Sequence, residues 1–298
     1  MENSSTLFDQ QLERIAAGER LGADAVRDLA QAPDILPLGM LADAMRRRLH
    51  DGKTTYARVA TCPFDGSFAD GTPVSAREIR IGGHPPSLDV AVSAVHAARA
   101  VAGSRTVSGL SWTDVVRFAG NGTPVTRVLH TLRDAGLDAF AELPIDAMDD
   151  VAGAIGQLKH AGFDQLRLTI DKKPASSRAE ALLQLSELQQ RFGCIAAINP
   201  LPMSLSTFRP TTGYEDVKMV AVARLAAPEI PHVQVDWTRY GPKLAQVALT
   251  FGANDIDGVS ASDDAPDGRR RAPLEEIRRN IQAAGFEPAE RDGRFALV

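Results

Sequence analysis

The sequence predicts a single parallel (β/α) barrel of the TIM type, carrying a helical segment at its N-terminus. Three observations point there. From Thr54 onward, short β-rich runs alternate with helix-length amphipathic runs. About eight such units follow one another, which favours closure into a barrel over an open sheet. Gly136, Gly162, Gly193 and Gly252 each fall directly before the next candidate strand, as helix C-caps feeding a crossover do. The length, 298 residues, suits one such barrel.

The elements follow in order. Residues 1–50 read as helices: Leu7, Leu12 and Ile15 recur near helical spacing with a stop at Gly18, then come Ala23–Gln31 and Leu36–Leu49. The expected strands are Thr54–Val59, Glu78–Ile81, Arg105–Ser108, Ala139–Glu142, Gln165–Ile170, Cys194–Asn199, His232–Asp236 and Asp255–Val259. Helices are expected at Ser87–Val101, Val125–Ala135, Met148–Ala161, Ser177–Arg191, Tyr214–Ala226 and Pro242–Phe251. Residues 51–260 form the barrel core. Residues 261–298 close the same domain with a helix at Pro273–Ala284 and a short strand or hairpin in Phe286–Val298. The Asp-, Gly- and Ser-rich stretch Ser260–Arg271 reads as a linker.

Composition narrows the function classes. Apolar residues make up 44% and charged residues 24%, as in an ordinary soluble globule. A formal net charge of −5 argues against a nucleic-acid partner, and the basic runs Arg46–Arg48 and Arg269–Arg271 read as solvated faces. No stretch approaches the roughly 20 apolar residues of a membrane span. Two cysteines, Cys62 and Cys194, make no disulfide framework, and a cytoplasmic location is expected.

In parallel barrels, functional groups gather at the C-terminal strand ends. That rule selects His84, Glu142, Asp171 with Lys172, Asn199, Asp236 with Arg239, and Asp257. Each could be a mouth-lining polar group with a satisfied hydrogen bond; Glu142, Asp171, Asp236 and His84 could instead serve as acid and base. Gly82-Gly83-His84-Pro85 is either a tight βα turn or a backbone cradle for a polar ligand. Asp236-Trp237-Thr238-Arg239-Tyr240, followed by Gly241-Pro242-Lys243, gathers aromatic and cationic groups suited to a planar or anionic ligand. Pro242 reads as the first helical residue.

Several runs resemble one family. They are Gly18-Glu19-Arg20-Leu21, Pro33-Asp34-Ile35-Leu36, Leu41-Ala42-Asp43 and Arg46 through His50 near the start. Later come Pro210 through Asp216, Ala221 through Leu225, Ile230-Pro231-His232, Gly241 through Leu249, Phe251 through Gly258 and Glu290-Arg291-Asp292. In this order they are similar to the radical S-adenosylmethionine enzymes of futalosine-pathway menaquinone biosynthesis, aminofutalosine synthase and dehypoxanthine futalosine cyclase. The likeness is weakest between Arg58 and Asp171.

Members of that family hold a [4Fe–4S] cluster with C-x3-C-x2-C after the first strand, because such a cluster is anchored by thiolates. Aligning Cys62-Pro63-Phe64 on the second cysteine places Arg58 and Asp65 at the other two ligand positions. The resemblance therefore implies a paralogue without the cluster and with no metal site. Other departures fall on strand ends: the shortened Gly82-Gly83-His84-Pro85, Ala141-Glu142-Leu143-Pro144, Asp171-Lys172-Lys173, and Ser260–Arg271 without a histidine.

The leading expectation is a cluster-free pseudoenzyme that binds a nucleoside-like pathway intermediate, or S-adenosylmethionine itself, or pairs with an active radical relative. Its binding residues would be Gly82, Gly83, Asn199, Asp236, Trp237, Arg239, Gly241, Lys243 and Gln246. The alternatives are a redox-independent acid–base enzyme of lyase or hydrolase type at the mouth, a scaffold, and an active radical enzyme.

Overall fold

A computed structural model describes residues 2–120, 122–171, 173–202, 213–263 and 273–298, with side chains from residue 8 onward. Three helices open the chain: α1 (Glu2–Ala16), α2 (Ala23–Gln31) and α3 (Ile35–His50). The Asp34 side chain caps α3 by accepting from the Leu36 N–H at 3.0 Å. The buried face of α3, Leu38, Leu41, Ala42 and Met45, belongs to the main apolar core.

The barrel follows as β1 (Lys53–Pro63), β2 (Glu78–Gly82), α4 (Leu88–Ala102), β3 (Thr106–Ser111), α5 (Trp112–Ala119), α6 (Val125–Asp134), β4 (Ala139–Pro144), α7 (Val151–His160), β5 (Leu166–Ile170) and α8 (Ala179–Phe192). Then come β6 (Ile195–Pro200), α9 (Tyr214–Ala226), β7 (His232–Asp236), α10 (Trp237–Leu249), β8 (Asp255–Ser260), α11 (Pro273–Ala283) and β9 (Glu287–Glu290). Strands β1 to β8 pair in sequence, all parallel, and β1 pairs with both β2 and β8. The sheet is therefore a closed eight-stranded parallel barrel with helices around it, as the alternating pattern predicts.

Four details depart from expectation. Helix α5 was not foreseen; a capping box between Ser111 and Asp114 starts it. The expected helix Met148–Ala161 is a 3-10 turn at Ile145–Ala147 and then α7, which Asp150 caps. Helix α10 begins at Trp237 rather than Pro242, because Asp236 supplies its N-cap; Gly241, at φ 71° and ψ 162°, kinks it before Pro242. The expected linker contributes Ser260 to β8, while 264–272 lie outside the described residues.

The C-terminus completes the barrel floor. β2 pairs only with the upper part of β1, residues 59–63, and β9 pairs with residues 53–56 below it. The chain after β9 then turns into the floor. The Arg291 guanidinium donates to both oxygens of Asp255 at 2.5 and 2.7 Å. The Gly293 carbonyl accepts from Arg167 at 2.6 Å, and the Phe295 ring stacks on His232 at 4.5 Å. No side chain would fit at Gly293, where a Cβ would lie 2.5 Å from that of Thr106.

Among the described residues, no helix is long and apolar enough to cross a membrane.

Candidate functional site at the barrel mouth

Inward positions follow from strand alternation and register. Arg167 on β5 reaches across the barrel to Glu78 on β2, donating to its two oxygens at 2.9 and 2.8 Å. Arg167 therefore faces inward, and so does Thr169. Residues Arg167 and Thr169 are in register with Ala197 and Asn199 on β6, which places Asn199 on the same face. On β2, Glu78 and Arg80 face inward; on β8, Asp255 and Asp257 do.

The barrel interior is filled by charge. Glu78, fully buried, also accepts from Arg80 at 2.8 Å and from the Ser108 hydroxyl at 2.5 Å. Arg80 makes a bidentate pair with Asp257 at 3.0 and 2.9 Å. Burial alone would raise the Glu78 carboxyl, but Arg167 and Arg80 outweigh it and hold it far below its ordinary value. Burial and Arg80 compete likewise at Asp257, with a net lowering. At Asp255 burial is outweighed by Arg291, and its pKa falls to about 2. Asp257, selected from its strand-end position, is thus a satisfied polar group held in a buried ion pair.

The other expected residues divide into several groups. Glu142, from β4, forms an ion pair with Arg239, from the first turn of α10, so the two bridge the mouth. One carboxylate oxygen of Asp236 caps α10, accepting from the Thr238 N–H at 2.8 Å, the Arg239 N–H at 3.1 Å and the Thr238 hydroxyl at 2.6 Å. The Asp171 backbone N–H donates to Asp146, and the residue makes a further interaction as well. Lys172 lies outside the described residues.

His84 stands on the rim, its side chain 73% exposed, with Nδ1 at 3.1 Å from the buried Asp114. Burial would raise Asp114, but hydrogen bonds from Arg117, the Ser111 backbone and His84 lower it. Asp114 and Asp146 are two carboxylates that strand-end reasoning did not select; the S-x-x-D spacing of a capping box carried the signal for the first. Gly82 and Gly83 form the turn after β2, with Gly83 at φ 82° and the Gly82 carbonyl accepting from the Phe64 N–H at 3.0 Å.

The aromatic cluster after β7 is split. Trp237 is half-buried against the core, and Tyr240 is buried with its hydroxyl donating to the Pro200 carbonyl at 2.9 Å. Burial, with Asp216 and Asp236 nearby, pushes the Tyr240 hydroxyl well above its usual value, so it stays neutral. Lys243 and Gln246 lie farther along α10, past the kink at Gly241; Lys243 is exposed and Gln246 half-buried.

Two inward side chains near the strand ends each bury an oxygen with no partner among the protein's described groups. Thr169 Oγ1 and Asn199 Oδ1 are buried polar atoms without a hydrogen-bond partner.

The positions aligned with the cluster ligands do not converge. Thr61 is exposed at the mouth and in register with Arg80, so Cys62 faces the opposite side of β1, where its thiol donates to the Gly71 carbonyl at 3.4 Å. Arg58 lies mid-strand, paired with Glu290 at 2.9 Å and Asp263 at 3.0 Å. Asp65 is exposed in the loop beyond β1, and Cys194 is buried just before β6, at the opposite end of the strands. Among the described residues, no group of three or more His, Cys, Asp and Glu side chains could hold a metal ion.

The same barrel architecture recurs among solved structures. The FeFe-hydrogenase maturase HydG from Carboxydothermus hydrogenoformans superposes with a TM-score of 0.68 at 12% identity, covering 97% of this chain and 80% of that one. Methylornithine synthase (PylB) gives 0.66 at 13% identity, covering 94% and 97%. Sequence defines the family more closely. The chain is 32% identical to the 5-amino-6-(D-ribitylamino)uracil–L-tyrosine 4-hydroxyphenyl transferase of Archaeoglobus fulgidus, covering 71% of this chain and 70% of that protein.

It is also 25% identical to the aminodeoxyfutalosine synthase of Thermus thermophilus, over 96% of this chain and 94% of the relative. The cyclic dehypoxanthine futalosine synthase of Streptomyces coelicolor is 23% identical, over 94% and 86%. Residues 204–297 match the CofH/MqnC C-terminal region. The chain belongs to the CofH/MqnC family of radical S-adenosylmethionine proteins, which includes the futalosine-pathway enzymes.

Proposed function

We propose that this chain is a cluster-free member of the family that holds a nucleoside-like small molecule in its barrel mouth, alone or beside an active relative. The observation that carries this reading is the placement of its thiols. A four-iron cluster is held by protein thiolates. The chain has two cysteines in all, and the one near the end of β1 faces away from the mouth. Arg58 carries a guanidinium that is not a metal ligand and is already committed to two carboxylates. These residues do not fit the cluster, and no step of the function runs through it. The names of the relatives support the ligand class: one acts on a ribitylaminouracil and another makes a cyclic dehypoxanthine futalosine.

The test has two arms. Anaerobic reconstitution with iron and sulfide is expected to leave the protein colourless, without stoichiometric iron or sulfide. Calorimetry with nucleosides is expected to show binding to the same preparation. A brown protein with bound iron and sulfide, lost in Cys62→Ser, would establish the radical reading instead.

The His84–Asp114 pair favours a second reading, acid–base catalysis at the rim. A buried carboxylate fixes Nδ1 and leaves the other ring nitrogen of an exposed imidazole toward solvent, the arrangement of a general base. That reading requires a turnover that needs no iron and is lost in His84→Gln.

A further inference from the structure

We infer that Thr169 and Asn199 together select the ligand of the mouth by an uncharged edge that pairs an N–H with a neighbouring C=O, as in the lactam edge of a nucleobase. The inference rests on the nucleoside-type reading above and specifies what that site recognises. Its starting point is what remains after the other inward groups near the strand ends are accounted for. Arg80 is bound to Asp257, and Glu142 to Arg239. His84 and Arg117 both face Asp114, and Asp236 caps α10. Asp171 is engaged too. These charges are thus answered by one another or by backbone, and the buried inward oxygens left unanswered near the strand ends are Thr169 Oγ1 and Asn199 Oδ1.

The geometry of this pair fits one kind of edge. The two residues are register partners on adjacent strands, so their side chains stand side by side about 5 Å apart at the backbone. Both are at least nine-tenths buried, at 2% and 5% exposure, and each lies one residue before its strand ends. A hydroxyl can donate or accept, and a carboxamide offers one of each. The pair can therefore answer an N–H and a C=O side by side in either order. A carboxylate, which only accepts, would leave Asn199 Oδ1 unanswered, and an ammonium would answer both oxygens but lie beside carboxylates that are already paired, without a counter-charge of its own. A buried polar group left unpaired is costly, which makes the pair selective against edges that cannot fill both positions.

The experiment is calorimetric binding of inosine and uridine, with 1-methylinosine and 3-methyluridine as edge-blocked counterparts, to the full chain and to Thr169→Val, Asn199→Leu and the double variant. Methylation of the ring nitrogen, or either substitution, is expected to weaken binding roughly tenfold or more. The double variant is expected to melt at or above wild type, since removing both unpaired groups relieves their burial cost. Equal affinity for methylated and unmethylated nucleosides overturns this inference but leaves the nucleoside reading in place. A sharp fall in the melting temperature of the double variant also overturns it, because it would reveal structural partners for the two groups. No binding of either nucleoside to folded wild type overturns the reading of the mouth and this inference with it.

Discussion

Replacing Arg167 with methionine should show how much of the barrel depends on its internal charges. Arg167 and Glu78 are 1% and 0% exposed and share two hydrogen bonds at 2.9 and 2.8 Å. Removing one partner from such a buried pair typically costs about 3–5 kcal/mol, because the remaining charge is left unpaired. Here Arg80 and Ser108 still donate to Glu78, which places the loss toward the lower end. The Gly293 carbonyl also loses its Arg167 donor, adding about 1 kcal/mol. The sum, about 3–4 kcal/mol, compares with a total stability of about 5–15 kcal/mol for a typical domain. Urea unfolding followed by circular dichroism should register this loss, with a melting temperature lower by at least about 6 °C. The double variant Glu78→Gln with Arg167→Met should recover a substantial part, since both charges then leave together. If Arg167→Met lies within 1 kcal/mol of wild type, the network does not hold the barrel together and the reasoning fails.

Acid should unfold the chain through the same carboxylates. The folded pKa values of Glu78, Asp255 and Asp257 are depressed, so their contribution is intact above their unfolded values near 4 and is lost as pH falls through the folded ones. For Asp255, displaced to about 2, that contribution is roughly 2 kcal/mol, and melting curves from pH 5 to pH 2 should show it disappear. A flat profile across that interval would contradict the assignment. Gly293→Ala should cost about 1–3 kcal/mol by overpacking against Thr106, read by urea unfolding as a lower midpoint. Tyr240→Phe should lose about 1 kcal/mol of stability with nucleoside affinity unchanged, since the hydroxyl is bonded to Pro200 rather than facing a ligand.

The sequence revealed what is local and periodic. All eight barrel strands fall within a few residues of their expected positions, because each is bounded by turn residues, mostly glycine but proline before β7, and flanked by a 3.6-residue pattern. Helix α5 escaped notice because it is eight residues long, although Ser111 and Asp114 carried its start signal. What sequence could not reveal is pairing at a distance. Glu78 and Arg167 are 89 positions apart, and Arg80 and Asp257 177 apart, so nothing in a local window joins them. Selecting Asp257 as a strand-end polar residue followed from its position, but that β2 supplies a guanidinium to satisfy it could not be read from the sequence. The face of Cys62 depends on register in the same way, through the pairing of Thr61 with Arg80.

That register bears on what holds the family scaffold together independently of its mouth. The family runs concentrate in α3, α9, α10, β8 and the segment after β9, where α3 packs on α9, α9 on β6 and β7, and α10 on β7 and β8. Arg46 donates to the Ala253 and Lys53 carbonyls, Arg224 to the Gly252 carbonyl and the Asn254 side chain, and Arg291 to Asp255. Each of these arginines is buried and satisfies groups that would otherwise be stranded inside the fold, so replacing any one of them would be expensive. Strand-end residues carry no such burden. They can change with little effect on folding provided their charges are matched, as Glu142 is by Arg239 and Asp257 by Arg80. A barrel of this kind keeps its frame under constraints internal to the frame, while residues at the mouth are free of them. The two unpaired oxygens of Thr169 and Asn199 are where the proposed recognition by the mouth becomes measurable.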